Sequence, residues 1–147
     1  MKIFLFFSLL FFSIVSEASR LLVGHWKVDV VKTNEFNQKN IKMSDLEAAL
    51  LSCISVHTEM IFKKDEFAHN IDDAMCSYGK KEEKVKGSFS HGKYRVVYKG
   101  EGSSVVLLMY SDKGRVVLLH WLDDSNFWVN NDPYPTRTYY KKVEGRK

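Results

Sequence analysis

Beyond residue 57 the chain is broken at short, near-regular intervals by turn-forming residues, a spacing that leaves room for strands but not for helices. The breaks are Lys64-Asp65, His91-Gly92, Gly100 with Gly102, Asp112-Lys113-Gly114 and Asp123-Asp124-Ser125. The segments between them cover residues 58–63, 66–71, 84–89, 93–99, 104–110, 115–122, 126–129 and 136–143. Tyr94, Val96 and Tyr98 alternate with Lys93, Arg95, Val97 and Lys99, which is the two-residue period of a strand with one buried face. Earlier, residues 22–30 set Leu22, Trp26, Val28 and Val30 on one face and His25, Lys27 and Asp29 on the other. About nine strands joined by tight turns make an antiparallel meander, and closing it into a barrel removes its open edges. The expected fold is all-β.

One helix interrupts this order. Ser44 and Glu47 form a capping box, and Leu46, Ala49, Leu50, Cys53 and Ile54 follow at helical spacing, so residues 45–55 read as a helix after the first strand. Residues 33–42, polar and rich in Asn, read as a loop. Residues 72–80 read as irregular, and 130–135, with both prolines, as a loop. Residues 105–110 and 116–121 are apolar on both faces, so their outer side needs a cover, either the helix or a partner chain.

The length favours one domain, and its first residues stand apart from it. Lys2 precedes an apolar run from Ile3 to Val15, and Ser16-Glu17-Ala18 matches the small-x-small pattern of a signal peptidase site. At 1.5 Å per residue that run is too short to span a hydrocarbon core of about 30 Å. Residues 1–18 are therefore expected to be a cleaved signal peptide and residues 19–147 the mature domain, exported to the periplasm or beyond. No later run is long and apolar enough to cross a membrane. The net charge is +4, but Lys is interleaved with Asp and Glu, as in Lys80-Lys81-Glu82-Glu83-Lys84. That pattern speaks for a solvated surface and against a nucleic-acid partner. Cys53 and Cys76 are the two cysteines. In an exported chain such a pair points to a bridge, with two buried free thiols as the alternative.

The two ends of the mature chain carry a resemblance. Leu22-Val23-Gly24-His25-Trp26-Lys27-Val28 resembles the Gly-x-Trp opening strand of the calycins, the superfamily of lipocalins and fatty-acid-binding proteins. Thr136-Arg137-Thr138-Tyr139 is similar to the Arg-x-Tyr closing strand of the fatty-acid-binding branch. The order of a strand, a polar loop and a helix is similar to small bacterial lipocalin-like proteins, which favours the periplasm over full secretion. The resemblance implies a lipocalin-like barrel of eight to nine strands, closed by Gly24, Trp26 and Arg137, with Arg137 covering the Trp26 ring. It also implies an interior able to take an elongated apolar or fatty-acid-like ligand. Met60, Phe62, Val96, Leu107, Leu118 and Phe127 would then belong to the wall. Tyr94, Tyr98, Met109 and His120 would touch the ligand, and Arg137 and Tyr139 would anchor a carboxylate. The alternative is a barrel filled by its own side chains.

Catalytic and metal-binding patterns are missing from the sequence. His25, His57, His69, His91 and His120 form no pair at helical ligand spacing and none lies at a zinc spacing from a cysteine. There is no nucleophile elbow, Walker loop or dinucleotide fingerprint. The expectation is a non-enzyme without metal or cofactor. Two functions lead: a carrier of a small apolar ligand, or a protein-interaction module such as an inhibitor, an immunity-type protein or an envelope assembly factor. An enzyme with an unfamiliar site, which His120 beside a carboxylate would signal, is the third alternative.

Overall fold

The computed structural model describes residues 20–110 and 113–144, so the expected signal peptide lies outside the described residues. Strand β1 (Gly24–Val28) leads into helices α1 (Val30–Asn40) and α2 (Asp45–Val56). Then follow β2 (Thr58–Phe62), β3 (Glu66–Ile71), β4 (Ala74–Tyr78), β5 (Lys81–Val85) and β6 (Ser88–Gly100). The chain ends with β7 (Ser103–Met109), β8 (Gly114–Asp123), β9 (Asn126–Asn130) and β10 (Arg137–Val143). Eight strands close an antiparallel barrel in the order β1-β10-β9-β8-β7-β6-β3-β2, and β4 with β5 makes a separate ribbon. No helix among the described residues is long and apolar enough to cross a membrane.

Alternation drives the closure. Trp26, Val28, Phe62, Phe67, Tyr94, Val96, Val106, Leu108, Leu119, Phe127 and Tyr140 all point inward and are buried together. Large rings fill one end: Trp26 lies 4.7 Å from Phe127 and 5.9 Å from Trp121, centroid to centroid. Tilted and edge-to-face contacts of this kind add to the burial of apolar area.

The first and last strands seal the barrel, with Trp26 opposite Lys142 and Val28 opposite Tyr140. The cation over Trp26 is Lys142 rather than Arg137. Its Nζ lies 5.2 Å from the ring centroid and donates to the Leu21 carbonyl at 3.1 Å. Arg137 sits five residues earlier on β10, roughly 17 Å away at the usual strand rise. Arg137 is therefore corrected out of the closure, whereas Gly24 and Trp26 belong to it.

Residues 33–42 do not form the expected loop, because α1 runs through most of them. Asp29 caps it, accepting from the Lys32 N–H at 3.2 Å. Its inward face is polar because it finishes β10 where the short β1 ends. The Asp29 N–H donates to the Tyr139 carbonyl at 2.8 Å, and the Tyr139 N–H donates to Thr33 Oγ1 at 3.0 Å. Asn37 accepts from the Arg137 N–H at 2.9 Å and donates to the Arg137 carbonyl at 3.0 Å. Thr33 and Asn37 are fully buried. α2 keeps the expected capping box. Two helices, not one, thus follow the first strand.

Two further expectations change. His91-Gly92 is no turn but lies inside β6, where a side chain at position 92 would collide with the Met109 carbonyl. Residues 72–80 are not irregular, since most of them form β4 and its turn into β5. Cys76 on β4 is bridged to Cys53 on α2, with a Cα–Cα distance of 5.8 Å, which fastens the ribbon to the helix.

Candidate functional site

Most residues expected to meet a ligand inside the barrel lie elsewhere. A register shift in β6 between Val96 and Tyr98 turns Tyr98 outward, leaving it 58% exposed. On β7 the inward set is Ser104, Val106 and Leu108, so Leu107 and Met109 face out. On β8 Leu119 is buried, so Leu118 and His120 face out. Of the expected wall, Phe62, Val96 and Phe127 are buried in the core and Met60 packs against it. Tyr94 is also in the core, but its hydroxyl donates to the Lys63 carbonyl at 2.8 Å. Burial, with a lesser push from Asp65, raises the Tyr94 phenol to about 12.

Arg137 and Tyr139 do not anchor anything inside. They belong to an outer column that pins α1 to the barrel. His120 stacks on Trp128 at 3.8 Å, and the Arg137 guanidinium lies 3.8 Å from the Trp128 ring and 4.2 Å from the Phe36 ring. Tyr139 borders both, 6.3 Å from Trp128 and 6.1 Å from Phe36. Burial, and then the Arg137 charge, holds His120 below the ordinary histidine value.

The interior does keep some room at the end away from the Trp26 cluster. A cavity of about 120 Å³ opens there, walled by Met60, Leu108, Val117, Leu119 and Val129. Its polar lining is His69, Tyr110, Arg115, Asn130, Asn131 and Tyr140. His69 arrives on β3, Tyr110 and Arg115 from the β7–β8 hairpin, Asn130 and Asn131 from the end of β9, and Tyr140 on β10. The Asn131 amide is already engaged, donating to Thr136 Oγ1 at 3.1 Å and Thr138 Oγ1 at 2.8 Å. His69, Arg115 and Tyr140 complete the polar lining from β3, β8 and β10.

Electrostatics ties these three together. Burial holds His69 below the ordinary histidine value, and the nearby Arg115 charge adds to the effect. Burial raises the Tyr140 phenol strongly, and Arg115 opposes that rise. The mouth therefore presents one permanent cation, a neutral imidazole and a neutral phenol. Larger hollows, of about 330 to 380 Å³, lie beside His91 on β6, between α2 and the ribbon, and along α1. Among the described residues no three His, Cys, Asp or Glu side chains are grouped to hold a metal ion.

Sequence reasoning missed Arg115, Tyr140 and the role of His69. A usable signal was the alternation Phe67, His69, Ile71, which sets His69 on the same face as a core phenylalanine.

Fold and site together define a closed eight-stranded antiparallel β-barrel with a small, cation-bearing cavity in its mouth, a form compatible with the calycin-like fold. Compared with protein-family models, curated proteins and solved structures, the chain matches none of them.

Proposed function

We propose that this chain is an exported, calycin-like binding protein that holds a small anion with a short apolar body in the mouth of its barrel. The observation that carries the reading is the convergence of Arg115, exposed at the mouth, with His69 and Tyr140 on a cavity whose deeper wall is Met60, Leu108, Val117, Leu119 and Val129. Convergent polar groups in an apolar hollow are the usual form of a ligand site. The volume, about 120 Å³, argues for a ligand of few heavy atoms rather than a long acyl chain, because the far end is packed with Trp26, Trp121 and Phe127. Export is supported by the apolar N-terminal run and by the Cys53–Cys76 bridge, which suits an oxidising compartment. Binding is preferred to catalysis because the described lining brings no Ser, Thr, Cys, Lys, Asp or Glu to His69 and Arg115.

Calorimetric titration of residues 19–147 with straight-chain carboxylates of two to eight carbons tests this reading. Saturable binding should peak at a short chain and weaken at least tenfold in Arg115→Met. A folded protein that binds no member of the series overturns it.

A further inference from the structure

We propose that the mouth site captures its anion together with one proton, taken up by His69. The inference rests on the small-anion reading above and concerns how that site is regulated.

His69 and Arg115 line the same small cavity from β3 and β8, on the walls of one barrel interior. Around His69, β2 contributes Met60 and β6 contributes Ser90 as cross-strand neighbours, neither of them titratable. The remaining lining adds the phenols of Tyr110 and Tyr140 and the amides of Asn130 and Asn131. Arg115 is thus the charged group that the cavity sets against His69. No described carboxylate lines the cavity to act as a counter-ion.

An imidazolium in the empty cavity faces a like charge and a poorly solvated wall, so the empty site keeps His69 neutral. An anion entering between the two groups reverses this balance. It offsets the Arg115 charge, and it gives an imidazolium a hydrogen-bond acceptor at close range. The proton comes from solvent, and one positive charge is gained on His69 as one negative charge enters. By linkage, a ligand that favours protonated His69 must bind more tightly as pH falls. Neutral ligands of the same shape gain nothing from the proton. The Tyr140 hydroxyl can donate to the anion in either state, so it adds affinity without pH dependence.

The test uses butyrate, 1-propanesulfonate (ionised at every pH used) and neutral butyramide, each titrated into residues 19–147 between pH 7.5 and 5.5. For both anions the affinity should rise towards tenfold per pH unit. Calorimetry in buffers of different ionisation enthalpy should count close to one proton taken up per anion. Butyramide should show a flat profile. NMR titration of the His69 ring in the unaltered protein should move to higher pH when butyrate is added. His69→Gln should bind anions with a flat profile. Anion binding that is independent of pH, or a slope that survives in His69→Gln, overturns the proposal. Binding of butyramide without either anion also overturns it while leaving a mouth site standing. No binding by any of the three overturns the small-anion function itself.

Discussion

Gly24 and Lys142 occupy the same space: a Cβ added at position 24 would lie 2.5 Å from Lys142 Cε. The lysine stem crosses the opening strand there to reach the Leu21 carbonyl and to cover Trp26. Gly24 also has φ of +148°, a conformation that side chains rarely adopt. Gly24→Ala should therefore destabilise by about 1–3 kcal/mol. Lys142→Ala alone should cost roughly 1 kcal/mol, the worth of one modest hydrogen bond. The double variant should cost less than the sum, because the displaced lysine is gone. Urea unfolding of all four proteins decides it. Strict additivity would mean that the two positions do not share a contact.

Asn37 acts as a substitute strand. Its amide serves both the N–H and the carbonyl of Arg137, at 2.9 and 3.0 Å, from a fully buried position. Asn37→Ala would strand both backbone groups beside the ending β1. The expected loss is roughly 2–4 kcal/mol, far above that of a surface helix substitution. Thermal melts should show it, and amide exchange at Arg137 should accelerate. A loss under 0.5 kcal/mol would show that water replaces the amide at no cost.

The barrel is legible in the sequence wherever one face is apolar and the other polar, as in β1, or wherever Asp and Gly mark a hairpin, as between β7 and β8. The inner faces of β7 and β8 are not legible, because both alternating sets are apolar. Val106 and Leu108 are inside while Val105 and Leu107 are outside, and nothing in their side-chain type separates them. The register shift at Val96 and Tyr98 then inverts the later part of β6. The helix α1 hides for the opposite reason: the residues it buries, Thr33 and Asn37, are polar because they meet a strand edge. The site inherits the face error. Once His120 and Met109 are assigned inward, Arg115, on the opposite parity of β8, is assigned outward and its meeting with His69 and Tyr140 is lost.

The face assignment on β8 is directly measurable. Leu119 is 2% exposed and Leu118 is 43% exposed, although they are neighbours of one residue type. Leu119→Ala should cost about 2–5 kcal/mol through lost burial and the cavity left behind. Leu118→Ala should stay within about 1 kcal/mol, since its methyl groups are largely in contact with water already. Equal losses at the two positions would mean that the outer face of β7 and β8 is covered in solution.

The Cys53–Cys76 bridge closes a separation of 23 residues and holds the β4–β5 ribbon, which lies outside the barrel, to α2. On the chain-entropy model such a loop contributes roughly 3 kcal/mol. In a Cys53→Ser, Cys76→Ser variant the loss should fall mainly on the ribbon. Trypsin should then cut at Lys80 or Lys81 under conditions that spare the native chain, while the near-ultraviolet signal of Trp26 and Trp121 persists. Collapse of that aromatic signal would show that the ribbon supports the barrel itself.

Stability should fall on mild acidification in the ligand-free protein. His69 is held below the ordinary histidine value by burial and then by Arg115, and His120 by burial and then by Arg137. Each binds its proton more readily in the unfolded chain, so the unfolded state carries more protons and stability rises with pH. The loss begins as pH drops through the ordinary histidine range and levels off below the depressed folded values. Glu47 and Asp123, both lowered by hydrogen bonds, add their own losses only at more acid pH, which separates the two windows. The urea midpoint should accordingly be higher at pH 7.5 than at pH 5.5. In His69→Gln the difference should shrink, because a neutral amide has no proton to gain. Saturating butyrate should shrink it in the unaltered protein as well, since the anion makes the charged imidazole acceptable in the folded state. A midpoint that rises on acidification in the unaltered protein but not in His69→Gln would place an acidic partner against His69 and would contradict the mouth geometry. A rise common to both would point instead to the His25–Glu59 pair at 2.7 Å.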